Sequence, residues 1–161
     1  MNIKLLEINE IEEFVPHFDS YRQRYKQDSE VERISEFLRH LLEKQAAKIF
    51  VSYESSEDQQ HMTGFVILYP SYSSIGLAPI WILNDFYVFA GEKKRETARA
   101  LLDQAAKLCK LTDAIRIEVT TRKENYRLHK LYKEYGFEKD YKYDYYFLRI
   151  DRQESASKML K

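Results

Sequence analysis

The sequence predicts a mixed α/β fold, one sheet with helices packed against both of its faces. Three observations carry this. The apolar residues switch between a period of two and a period near 3.6 along the chain, in the order βααβββαβαβ. Two Ser/Thr-x-x-Glu signatures, Ser29–Glu32 and Thr121–Glu124, mark helix starts. Hydrophobic residues make up 44% of 161 residues, enough for one core.

Ile3 to Ile8 reads as a short first strand. Glu10 to Gln27 has helical periodicity, with Ile11, Phe14, Val15, Phe18, Tyr21, Arg22 and Tyr25 on one stripe. Pro16 inside it predicts a late start or a kink. The Ser29 capping box opens a second helix to Lys44, with Val31, Ile34, Phe37, Leu38, Leu41 and Leu42 inward. Lys48–Tyr53 and Met62–Tyr69 are strands around a polar hairpin turn, Glu54 to Gln60. Ser71 to Pro79 reads as a loop, and Ile80 to Phe89 as a long strand. Thr97 to Lys110 is amphipathic, with Ala98, Leu101, Leu102, Ala105, Leu108 and Cys109 inward. Ala114 to Thr120 is a strand, and the Thr121 box opens a helix to Tyr135 that Gly136 stops. Tyr141 to Ile150 is expected to end the sheet. The result is a single domain over residues 1–150, followed by a polar, frayed tail over 151–161.

Charge and composition exclude several functions. Twenty-six basic residues balance 26 acidic ones, so no global excess is available to neutralise nucleic-acid phosphates. One cysteine excludes an intrachain disulfide framework. No apolar run approaches the roughly 20 residues of a membrane span. No signal segment precedes the first strand, and with the lone thiol this predicts a cytoplasmic protein. Gly-x-Ser-x-Gly and His-Glu-x-x-His are both absent, and His17, His40, His61 and His129 are scattered, so no metal is expected.

Two strand-to-helix steps are the places to look for a ligand, because ligands of such sheets sit outside the carboxyl ends of strands. In the first, Leu83–Val88 is followed by Lys93, Lys94 and Arg95, and a helix starting near Glu96 would aim free amides at the preceding loop. Such an end suits a pyrophosphate. A solvated basic turn before an ordinary surface helix fits the charges as well. In the second step, Asn125, Leu128 and Tyr132 share one helix face.

Both segments resemble the GNAT superfamily of acetyl-coenzyme A-dependent N-acetyltransferases. Lys93 takes the Arg/Gln place of motif A, Glu96 its first Gly, Ala98 its final Gly/Ala, and Leu101-Leu102 its apolar pair. The run from Asn125 through Leu131-Tyr132 to Gly136-Phe137 resembles motif B, with Leu128 in place of a frequent Ala. Phe18–Tyr25, Leu68–Ser74 and Trp81–Asp85 look like a branch of small oligomeric enzymes acting on histone-like lysines and polyamines. The fold implied is a mixed sheet with a splayed central strand pair and helices on both faces.

The resemblance implies direct acetyl transfer from acetyl-coenzyme A to a small amine or a lysine side chain. Tyr87, Val88, Lys93, Lys94, Arg95, Glu96, Thr97, Ala98 and Asn125 are the expected coenzyme residues. The Val88 N–H would polarise the thioester carbonyl as an oxyanion donor does. Asp85, or a water chain near it, would take the amine's proton. Tyr132 would protonate the thiolate, which a phenol of pKa about 10 suits. Tyr21, Tyr25 and Tyr69, with Arg22 and Tyr72, could line the acceptor pocket; core or interface packing explains such tyrosines too. Glu96 departs from the pattern, since it places a negative charge beside an anion site. A catalytically weak module that binds an acyl-coenzyme A or a partner protein is the alternative it raises. Expected partners are the amine and further copies of the chain, as a dimer or dimer of dimers, with no nucleic acid and no membrane.

Overall fold

A computed structural model describes residues 1–55, 60–89, 91 and 93–150. The chain forms two compact units, Met1–Arg122 and Lys123–Lys161. In the first, β1 (Asn2–Leu5) and a 3-10 turn (Ile8–Glu10) lead to α1 (Ile11–Gln23) and α2 (Val31–Glu43). β2 (Lys48–Ser55), β3 (Gln60–Ser73), β4 (Ala78–Val88), α3 (Lys94–Leu111) and β5 (Ile117–Val119) follow. The five strands lie in chain order. The first four pair antiparallel, and β5 runs parallel to β4.

Strand alternation divides the core between two faces. Phe65 and Ile67 of β3 join Ile49, Val51 and Tyr53 of β2 against Ile11, Phe14, Val15 and Phe18 of α1 and Ile34, Leu38 and Leu41 of α2. On the other face α3 lies on β3, β4 and β2, burying Ala98, Leu101, Leu102 and Ala105. The mixed sheet with helices on both faces is therefore the fold that the sequence predicts.

Several local expectations are corrected. Ser29 does not cap α2. Its hydroxyl donates to Asp19 Oδ2 at 2.7 Å, and Glu30 precedes the helix without a side-chain cap. Val31 and Phe37 are exposed, because α2 buries a stripe only as wide as Ile34, Leu38 and Leu41. Pro16 sits inside α1, where it withholds the donor that Glu12's carbonyl would otherwise receive. The expected loop Ser71–Pro79 is mostly strand, shortened to a tip at residues 74–77. Within that tip Leu77 adopts a left-handed φ of 48°. The predicted turn Glu54–Gln60 lies partly outside the described residues, and the tail 151–161 wholly so.

In the second unit α4 (Tyr126–Tyr135) starts later than the Thr121 box implies. Asn125 caps it, its Oδ1 accepting from the Leu128 N–H at 3.2 Å. Gly136 stops it at φ 113°, and both Gly136 and Phe137 donate to the Tyr132 carbonyl, at 3.1 and 2.9 Å. Tyr141–Ile150 forms no strand. Tyr145-Tyr146-Phe147-Leu148 breaks the alternation a half-buried strand needs, and among the described residues this unit has no strand to pair with it.

Candidate active site

The β4–β5 pairing covers only Trp81–Leu83 against Ile117–Val119, while β4 continues to Val88. Asn84 marks the change. Leu68 pairs with Leu83 and Ile67 with Asp85, so Asn84 is the extra residue of a bulge. Beyond it the Phe89 N–H donates to the Thr63 carbonyl at 2.9 Å. Antiparallel ladders alternate, so the Val88 N–H points to the opposite edge, the one β5 has left. Gly64 stands across from Val88. A Cβ there would come within 2.7 Å of the Tyr87 carbonyl oxygen and 3.1 Å of Leu101 Cδ1, so the bare backbone lets α3 lie close beside Val88.

The helix start differs from the expectation. α3 begins at Lys94, and the Thr97 N–H already donates to the Lys93 carbonyl at 2.9 Å. Helix geometry leaves the amides of Lys94, Arg95 and Glu96 without an intrahelical acceptor. Thr97 and Ala98 are buried, and the Thr97 amide already belongs to the helix ladder. Lys93 pairs with Glu54 of β2 at 2.5 Å. The Glu96 side chain is exposed in the first turn, together with that of Arg95.

Asp85 anchors a second cluster. Tyr21 donates to its Oδ1 at 3.1 Å and Asn84 Nδ2 to its Oδ2 at 3.0 Å. Burial raises the carboxyl above its ordinary range, against the pull of those two bonds. Burial and the Asp85 charge likewise raise the Tyr21 hydroxyl, and push Tyr69 up to about 12. Tyr21 is a hub: its ring meets Tyr25, Phe65 and Tyr87 at centroid distances of 5.1, 5.2 and 5.3 Å. Of the tyrosines singled out for an acceptor pocket, Tyr21, Tyr25 and Tyr69 thus gather around Asp85 or its hydrogen-bond donor, while Tyr72 is exposed. Arg22 turns away to Asp19 and Glu30.

Sequence reasoning missed four residues. Asn84 holds the carboxylate, Gly64 admits α3, and Arg24 and Arg122 lie over the rings of Tyr87 and Tyr25. Only Gly64 carried a usable signal, a lone glycine inside an apolar strand. In the second unit Tyr132 is buried, its ring 5.2 Å from that of Phe137. Asn125 Oδ1 is spent on the cap, which leaves its Nδ2 as the polar atom that could reach a ligand.

Comparison with known proteins converges on one group. Residues 9–137 match the model of the acetyltransferase (GNAT) family. An uncharacterized N-acetyltransferase of Bacillus subtilis (strain 168), YhfO, is 29% identical over 150 residues, 93% of this chain and 98% of the relative. A probable acetyltransferase of Haemophilus influenzae is 28% identical over 118 residues, 73% of this chain and 79% of its own. The crystal structure of a probable acetyltransferase superposes with a TM-score of 0.85 at 31% identity, covering 94% of this chain and 99% of that one.

Proposed function

Because the chain belongs to the acetyltransferase (GNAT) family, we propose that it moves acetyl from acetyl-coenzyme A to a primary amine, directly, within a ternary complex. The observation that carries this reading is the edge of β4 beyond Asn84, where the Val88 N–H points away from β3 and Asp85 lies three residues upstream. The coenzyme supplies an activated thioester.

Each residue then has a separate task. The Val88 N–H is set to donate to a developing oxyanion on the edge left open by β5. Asp85, raised by burial, takes the ammonium proton directly or through a water, freeing the amine lone pair. The nitrogen bonds to the acetyl carbon, the carbon–sulfur bond breaks, Tyr132 gives its proton to the sulfur, and the extra proton on the new amide nitrogen is lost to solvent, from which the Tyr132 phenolate is reprotonated. The amides of Lys94, Arg95 and Glu96 fit a diphosphate, with the positive charges of Lys94 and Arg95 beside them. The Glu96 carboxylate opposes an anion there, and its exposure lets it turn to water. Tyr21, Tyr25 and Tyr69 wall the acceptor.

The same reading places the enzyme in the cytoplasm, which suits its lone thiol, Cys109, and makes it a homodimer. Support for association comes from Tyr141, Tyr143, Tyr145, Tyr146, Phe147, Leu148 and Ile150, exposed over 67–85% of their surface. Glu96 favours a second reading, a binding module with little turnover. A thermal-shift titration with acetyl-coenzyme A, followed by thiol release over an amine panel, separates the two. Stabilisation with amine-dependent release supports transfer. Stabilisation without release supports the module, and no stabilisation at millimolar ligand contradicts both.

A further inference from the structure

Two guanidiniums border the aromatic cluster around Asp85. Arg24 Cζ lies 5.1 Å from the centre of the Tyr87 ring, and Arg122 Cζ 5.5 Å from that of Tyr25. Both rings touch Tyr21, whose hydroxyl donates to Asp85. A face of each ring is thus covered by a cation of the protein's own, and a second cation gains nothing there. Arg22 is held by Asp19 and Glu30, whereas Arg24 forms no ion pair among the described residues. A wall of one carboxylate and two guanidiniums is ill suited to a polyamine, whose second ammonium would meet like charge.

We propose that the acceptor carries an acidic group as well as its amine, with the amine directed to Asp85 and the acid to Arg24. This deepens the transfer reading above and rests on it. Arg24 offers a planar fork of donors that a carboxylate accepts at two points, and Arg122 adds a second positive charge on the same tyrosine cluster. The transfer step is unchanged. The amine nitrogen bonds to the acetyl carbon, the carbon–sulfur bond breaks, the ammonium proton leaves through Asp85, and the acidic group takes no part in bond making.

The test uses the full chain and matched acceptors: lysine and aminocaproate, which carry a carboxylate, against cadaverine, which carries a second ammonium instead. The expected result is a kcat/KM about tenfold or more higher for the two acids. Arg24→Ala collapses that preference towards equality, and Arg24→Lys, which keeps the charge, retains part of it. Equal or better use of cadaverine, or a preference that survives Arg24→Ala, overturns the inference while leaving amine acetylation standing. Thiol release with none of these amines overturns both.

Discussion

Burying a carboxylate costs free energy unless donors meet it, and Asp85 meets two, the Tyr21 hydroxyl and the Asn84 amide. They do not offset the burial fully, since its carboxyl stays above the ordinary range. A group whose folded pKa is raised favours the folded state below the unfolded value, and that contribution is lost as pH rises through the folded value. Asp85→Asn is therefore expected to leave the melting temperature at pH 7 unchanged or higher, with any gain vanishing in acid, while turnover falls. A lower melting temperature at neutral pH contradicts this. Tyr132→Phe should lower kcat by about 10²–10⁴-fold, as loss of a positioned acid does, with little change in coenzyme-induced stabilisation. Equal turnover removes Tyr132 from the acid role. Glu96→Gly should tighten acetyl-coenzyme A binding in a calorimetric titration; unchanged affinity shows that the carboxylate already turns outward. Asp85 and the tyrosines could be singled out as candidates from the family resemblance together with their side-chain chemistry. Arg24 and Arg122 could not, because contact with Tyr87 and Tyr25 depends on how the chain folds back.

Strands and helices were readable wherever burial imposes a period. β2, β3, β4 and α3 fall where the apolar pattern puts them, each within a few residues. Termini were less readable, because competing donors decide them. The Ser29 hydroxyl found Asp19 across ten residues instead of an amide in its own helix, and Asn125 outcompeted Thr121 as a cap. The bulge at Asn84 left no mark in the apolar pattern, yet it falls where β5 stops pairing with β4, and beyond it the Val88 N–H points away from β3. Gly64 is the element-scale test of that arrangement. Gly64→Ala forces its Cβ against the Tyr87 carbonyl and Leu101, a misfit of about 1–3 kcal/mol that chemical denaturation should register. Wild-type stability in that variant would mean that α3 does not sit so close to β3.

The chain comprises a tightly packed sheet unit, Met1–Arg122, and a second unit in which the apolar residues between Tyr141 and Ile150 are exposed. The sequence pattern predicted the family-like core because every strand there has a partner. It predicted a last strand at Tyr141–Ile150 that this chain does not form, since propensity alone cannot supply a pairing edge. So much exposed aromatic surface predicts association: light scattering should report about twice the 19.4 kDa chain mass, and a monomer at micromolar concentration contradicts it. The central claim is that acetyl transfer takes place at the edge of β4 which β5 leaves uncovered. A structure of the chain with acetyl-coenzyme A bound tests it most directly. The expected result has the thioester oxygen about 3 Å from the Val88 nitrogen and the diphosphate on the amides of Lys94, Arg95 and Glu96. A coenzyme seated elsewhere, or a Val88 N–H already paired with a neighbouring strand, contradicts the account.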